Sequence, residues 1–547
     1  MAFSPDPEII TPLQFVGVAI ILLIIVITFL GYNPFGLTEP LLVGPLVGMV
    51  LGIPLEVSLP LSALLELVYL GVFPIGGAAA PNAVLATISS LMFAKILGYT
   101  SVTSAELGAL MSIAIPIGLL AASIEVVLAR AGAVIYSHWA DREIEKGNIG
   151  RLGLISFIGT FQWFIAYLIP LIAIAALGVS PAAVETIRAS LESPVFKVIF
   201  PALGVGAVLL PAVGLGYLLK LTWSPEALPW FILGFVLVAY LKMPILGLTL
   251  IIISLILLVY WREIREAFSS IEASPASQRS GTGLISRSDL LKSYLKVTFA
   301  GQWAWNYERM QGTAYAFTMS HIEKKLRKDP EELKKWMSVH NEFYNTNPIM
   351  TPAILGMNIA LEEGGADMET IRSLKTSLMG PLAGLGDGLF WFTWRPIVFG
   401  LGAGLVLTAG LLGVLASFIL WTPVVLAVGW FFLRFGYERG LGMVSLLRAG
   451  RIDIVRKIAA MLAVAIVAAL GATFINVHIP LTISPPGAQS PISIQSAIDS
   501  IMPKLIPLIF LLGAFYLYRR GFSILKVLAI YFILGFVLGL LGVLATG

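Results

Sequence analysis

The sequence predicts an all-α, polytopic helical membrane protein, and three observations carry that reading. Of 547 residues, 58% are hydrophobic and 12% are charged, about half the ~25% charge fraction of soluble domains. Apolar runs repeatedly reach the ~20 residues that a spanning helix needs. The alternating pattern of a membrane β-barrel is absent. Cysteine is also absent, which excludes disulfides, thiolate metal sites and cysteine nucleophiles.

The first ten residues, MAFSPDPEII, are acidic and lack the basic region of a cleavable signal. The apolar run from Phe15 to Leu30 is therefore expected to stay as the first helix. A second run extends from Val236 to Tyr260. Residues 262–292 are polar, rich in serine and glycine, and basic on balance. They predict a linker that is cytoplasmic by the positive-inside rule. The expected division is a membrane domain at 1–265, a linker at 266–287 and a second membrane domain at 288–547. A distant structural relation between the halves is compatible with the sequence, although no short-period repeat shows it.

The charged segments His138 to Arg151 and Arg434 to Lys457, with Arg519 and Arg520, are expected on the cytoplasmic side too. The loop Asn476 to Ser500 has one acid and no lysine or arginine, and is expected outside. Residues 320–343 predict a charged, amphipathic helical hairpin, with Asp329 and Pro330 as a helix start. This hairpin is a solvated cap, a membrane-surface helix or a dock for a soluble partner. The long run from Ile397 to Phe432 has room for two helices, and Leu525 to Ala545 for one more.

Polar residues inside membrane-grade sequence are costly and are usually functional. In the first half Glu66 is the sole charged side chain between Glu56 and Lys95. Pro74, Gly76, Gly77, Pro81 and Asn82 follow it and predict a broken helix, a mark of transporter binding sites. The alternative makes Glu66 a carboxylate bonded to a neighbouring helix.

In the second half, GQWAWNYERMQ (Gly301 to Gln311) sets Gln302, Asn306, Glu308 and Gln311 beside Trp303, Trp305 and Tyr307. Amides and carboxylates next to aromatic faces suit a sugar, which needs hydrogen bonds at its hydroxyls and an apolar face for its ring. An interfacial aromatic belt is the competing reading. Asn345 and Asn347 precede Pro348, where a new helix should start; Asn345 reads equally as a cap. Residues 376–396, TSLMGPLAGLGDGLFWFTWRP, hold Asp387 and Arg395 among Gly380, Pro381, Gly384 and Gly386. Irregular backbone at membrane depth must face protein or a wet cavity, so this segment reads as the lining of a polar path. Two roles stay open for Asp387: a ligand for solute, or a partner of Arg395.

Other chemistries have no support. A GxxxxGK[ST] phosphate loop is missing, which argues against an ATP-driven pump. His138, His321, His340 and His478 are scattered and form no metal-ligand spacing, so no metal or other cofactor is expected. The net charge of +4 resides largely in loops; it reports orientation, and no nucleic-acid partner is expected.

These motifs resemble the mannose family of sugar phosphotransferase system (PTS) permeases, whose membrane subunits IIC and IID here stand fused. The IIC resemblance lies in PLLVGPLVGMVLG (Pro40 to Gly52) and LLELVYLGVFPIGGAAAPNA (Leu64 to Ala83). The IID resemblance is stronger. It comprises WNYERMQ (Trp305 to Gln311), EFYNTNP (Glu342 to Pro348), PAILGMNIALEE (Pro352 to Glu363), LMGPLAGLGDGLFW (Leu378 to Trp391) and FGYERG (Phe435 to Gly440).

The resemblance implies a plasma-membrane translocator, not an enzyme. It would carry a hexose such as mannose or glucose inward for phosphorylation by separate IIA and IIB proteins. It implies a homotrimer in the lipid bilayer, moving in an elevator-like manner. By motif, the sugar-binding candidates are Glu66, Asn82, Gln302, Asn306, Glu308, Asn347 and Asp387. Two departures stand out: Asn82 replaces the family's common aspartate, and Glu39 replaces an arginine before Pro40. They leave open an alternative function, a PTS-independent facilitator or ion-coupled sugar carrier of the same fold.

Overall fold

The computed structural model describes residues 9–72, 81–180, 208–272, 283–439, 452–483 and 492–546, with scattered positions between 181 and 207. Pro74, Gly76, Gly77, Arg448, Arg451, the linker centre at 273–282 and part of the expected external loop lie outside the described residues. The first half forms α1 (Pro12–Phe29), α2 (Pro40–Leu51), α3 (Leu55–Tyr69), α4 (Ala83–Leu97), α5 (Ser104–Ile124), α6 (Val134–Glu145) and α7 (Leu152–Gly178). It continues with α8 (Leu210–Thr222), α9 (Leu228–Ala239) and α10 (Ile245–Glu272). The second half forms α11 (Arg287–Ala300), α12 (Gly312–Leu326), α13 (Pro330–His340), α14 (Thr351–Glu363), α15 (Met368–Gly386) and α16 (Arg395–Ala409). It ends with α17 (Leu411–Arg439), α18 (Ile452–Phe474), α19 (Ile494–Ile501), α20 (Leu505–Arg519) and α21 (Ile524–Leu540). Among the described residues the strands make two short two-stranded ladders.

Among the described residues six helices are long and apolar enough to cross a membrane, or seven if the pair α19 and α20, bent by 75°, counts as one span. The chain is thus a multi-pass helical membrane protein. The expected start of the hairpin's second helix is present, and a further capped start precedes it. Ser286 and Asp289 form a reciprocal cap on α11, and Asp329 Oδ2 accepts the Glu332 amide at 2.8 Å before Pro330. The hairpin predicted at 320–343 is α12 and α13, with Trp336, Met337 and Val339 buried. The run from Ile397 to Phe432 divides into α16 and α17 at Gly410, whose φ of 59° suits glycine.

Helices α2 and α4, with 12 and 15 residues, are about 18 and 23 Å long at 1.5 Å per residue. Neither can cross a ~30 Å hydrocarbon core, and most of their residues are buried in protein. The predicted breakage in 376–396 takes a different form. The chain stays helical from Met368 to Ala409, and the irregularity is a π-helical segment, Asp387–Trp394. A helix with one wider turn keeps its backbone bonded, which a full break in lipid would forfeit.

The halves interlock. Tyr32 N donates to Thr298 O at 3.0 Å and Gln302 N to Leu30 O at 2.7 Å. Helix α8 packs against α20, and α9 against α18. Within the second half, α14 and α17 meet through two glycines. A Cβ on Gly356 would strike Leu433 O, and one on Gly436 would strike Ala353 O.

Candidate functional site

A cavity of about 130 Å³ opens at the seam between the halves. That is several times the roughly 10–15 Å³ that a single water needs, so the seam has room for a small polar solute. The first half supplies Phe29, Tyr32, Asn33, Thr38, Arg130 and Trp163. The second half supplies Gln302, Trp305, Gln311, Asn345, Asn347, Asp387 and Trp391.

Asp387 begins the π segment. Asn347 Nδ2 donates to Asp387 Oδ1 at 2.8 Å, and Asn347 Oδ1 accepts the Ile349 amide at 3.0 Å. The backbone therefore fixes Asn347, and Asn347 fixes the carboxylate. Gly386 makes this contact possible, since a Cβ there would lie 2.6 Å from Met350 Cγ and overlap Asn347. The close approach expected of this glycine run is thus met at Gly386, whereas Gly380 and Gly384 have open space where a Cβ would be.

On the facing wall, Arg130 lies in a second π segment, Glu125–Ala131. Its guanidinium sits 5.2 Å from the Trp305 ring centre and 5.8 Å from that of Trp163. Arg130 Nε donates to Glu125 Oε1 at 2.8 Å. Glu125 Oε2 accepts from Tyr167 Oη at 2.6 Å and from Asn82 Nδ2 at 3.2 Å. A second cavity of about 90 Å³ shares Phe29, Thr38 and Arg130 with the first, and is otherwise lined by Glu39, Asn82, Glu125, Tyr167 and Arg395 among others. Acceptors, amides and aromatic faces around a seam cavity can bind a neutral, hydroxyl-rich solute.

The sequence candidates separate. Gln302, Asn347 and Asp387 line the first cavity and Asn82 the second. Asn82 also caps α4, accepting the Leu85 amide at 3.0 Å. Gln302 spends its Nε2 on Gly31 O at 2.8 Å. The other three lie away from both cavities. Asn306 is fully buried; its amide holds Ser137 Oγ and Ala304 O, and its carbonyl takes the amides of Glu308 and Arg309. It braces the turn that carries the cavity residues. Glu308 is partly exposed and bonds His138 Nε2 at 2.9 Å. Glu66 is fully buried and accepts the Leu41 amide at 3.2 Å, which corresponds to the helix-bonded alternative. The suggested pair of Asp387 with Arg395 gives way to a pair between halves, Arg395 with Glu39 at 2.6 Å.

Arg130, Glu125, Tyr32, Thr38 and Trp391 were not singled out from sequence. An acid and a base five residues apart in the apolar run of α5 were the available signal, since buried charges need partners.

A family model described as "PTS system mannose/fructose/sorbose family IID component" matches residues 284–544. One described as "PTS system sorbose-specific iic component" matches residues 13–258. The second half is 34% identical over 271 residues to the PTS system mannose-specific EIID component of Escherichia coli K12, spanning 47% of this chain and 95% of that protein. It is 33% identical over 268 residues to the sorbose-specific EIID component of Lacticaseibacillus casei, spanning 47% and 95%. The first half is 26% identical over 252 residues to the mannose-specific EIIC component of Escherichia coli K12, spanning 46% and 89%. The chain therefore belongs to the mannose/fructose/sorbose family of PTS permeases, with a IIC and a IID component fused in one polypeptide.

Proposed function

We propose that this protein is the translocation unit for a hexose of the mannose or glucose type, bound at the seam cavity and passed inward to a separate IIB protein that phosphorylates it. The observation that carries the reading is the Asp387–Asn347 pair, held by backbone and lining one cavity with Arg130, Trp305 and Trp163. A carboxylate accepts from sugar hydroxyls, an amide orients it, and the indoles offer apolar faces to the ring. In this reading the domains are 1–265 and 288–547, joined by a cytoplasmic linker in the plasma membrane. The assembly is a homotrimer with an elevator-like motion, and phosphoryl transfer belongs to IIA and IIB.

One observation favours a second reading, an ion-coupled or facilitating carrier: Glu66 is a fully buried acid that accepts the Leu41 amide and lies beside the Glu39–Arg395 pair. Uptake of labelled mannose and glucose into liposomes holding this protein, with and without phosphorylated IIB, separates the two. Sugar phosphate formed only with IIB supports the first reading. Free sugar entering without IIB replaces it with the second.

A further inference from the structure

Apart from the seam cavities, three helices of the second half bring together Glu323 on α12, His340 at the end of α13 and Glu362 near the end of α14. All three are buried, at 0%, 0% and 1% exposure. His340 Nε2 lies 3.3 Å from Glu323 Oε1 and 3.3 Å from Glu362 Oε1. One candidate ligand atom from each residue lies within 4.8 Å of the other two.

This cluster has more acceptors than donors. Nε2 has one proton or one lone pair to offer, and two carboxylates flank it. Both separations exceed the 2.7–2.9 Å usual for a charge-assisted bond. Among the described residues no backbone amide, hydroxyl or lysine donates to either oxygen of Glu362 or to Glu323 Oε2, and the groups beside them are the other carboxylate and His340. The neighbouring cations make their closer contacts elsewhere. Arg327 Nε is 3.9 Å from Glu323 Oε2 but 3.3 Å from Glu332 Oε1, with its guanidinium over the Trp336 ring. Lys375 Nζ donates to Val339 O at 2.9 Å and lies over the Tyr315 ring. Two buried carboxylates with unfilled acceptor positions are costly unless a cation is present.

A divalent ion matches the spacing. Bonds of about 2.0–2.2 Å in tetrahedral array place ligand atoms roughly 3.3–3.6 Å apart, and both separations from His340 Nε2 fall at that edge length. One imidazole with two carboxylates suits zinc or a neighbouring transition metal, whereas calcium and magnesium favour all-oxygen shells. We propose that Glu323, His340 and Glu362 form a structural site for a divalent transition-metal ion of the zinc class, with a second carboxylate oxygen of Glu362 free to fill the fourth position. The two carboxylates and a neutral imidazole neutralise the ion's charge. The ion ties α12, α13 and α14 together where the chain leaves α13 for Asn345 and Asn347. It stabilises the loop that holds Asp387 and takes no part in binding sugar. The proposal is independent of which solute the cavity carries.

The test uses the full chain, purified in detergent through a tag without histidines, from cells grown with zinc or with cobalt. Elemental mass spectrometry should find about one ion per chain. Cobalt-grown protein should show the intense visible absorption of tetrahedral cobalt. His340→Ala and Glu362→Gln should each lower occupancy at least tenfold, while His321→Ala, also on α12, should retain it. Where the ligand variants do not fold, wild-type protein decides alone: stoichiometric metal and a lowered Tm after chelation support the site. Wild-type protein with no stoichiometric ion, even after incubation with excess zinc, overturns it, as does full occupancy in His340→Ala.

Discussion

Glu125 and Asp387 occupy comparable stations in the two halves. Each opens a π-helical segment in a long apolar helix, and each lines a cavity at the seam. Their partners differ. Glu125 is held by Arg130, Tyr167 and Asn82. Asp387 is held by one amide, Asn347. A carboxylate surrounded by a cation and two further donors has its acceptor capacity used. One fixed by a neutral amide retains capacity for a ligand. The difference teaches which of the two acids supports the fold and which is available to the solute. It also gives Asn82 a physical reason: its amide donates to Glu125, whereas the family's common aspartate would set a second carboxylate there.

The largest effect should come from breaking the saturated side. Arg130→Met leaves Glu125 buried beside Tyr167 and Asn82 without its cation, and should cost about 3–5 kcal/mol. Thermal unfolding in detergent checks this; an unchanged Tm would remove the distinction between the two acids. Asp387→Asn should act on binding instead. Losing hydrogen bonds to a charged acceptor costs about 1.5–3 kcal/mol, or roughly 10- to 150-fold in Kd. Tm should shift little, and titration calorimetry with sugar reads the change. Retained affinity would mean the site is elsewhere. Gly386→Ala probes the geometry beneath Asp387. The added methyl pushes Asn347 away, at about 1–3 kcal/mol for overpacking, and should weaken sugar binding while leaving the charge in place.

A pH-dependent effect lies outside the cavity and the membrane spans, at Lys296. Burial, helped by the charges of Lys324 and Lys292, lowers its pKa to about 8 from 10.5. Below pH 8 the folded and unfolded chains both carry the proton, and the burial penalty is fully present. Between 8 and 10.5 the unfolded chain binds more protons, so this group makes stability rise with pH. Lys296→Met should flatten that rise in a Tm-versus-pH series. An unaltered slope would assign the pH dependence to other groups.

Composition and apolar run length established the membrane class, because a bilayer imposes one length and one polarity on anything that crosses it. Cap chemistry at Asp329 and Pro330 placed the start of α13, since that signal acts within a few residues, whereas run length alone allowed two helices between Ile397 and Phe432 without locating their division. The motifs of the second half located Asn347, Asp387 and Gln302. What the sequence left undecided was the use of each polar group. Asn306, Glu308 and Glu66 carry the same chemistry as the cavity residues, yet they bond a turn, a surface histidine and a helix end. Arg395 found Glu39, 356 residues away, and His340 met Glu323 and Glu362 across three helices. A buried polar side chain must be satisfied by something, but its partner is chosen by packing between distant segments. Only the tertiary structure makes that choice.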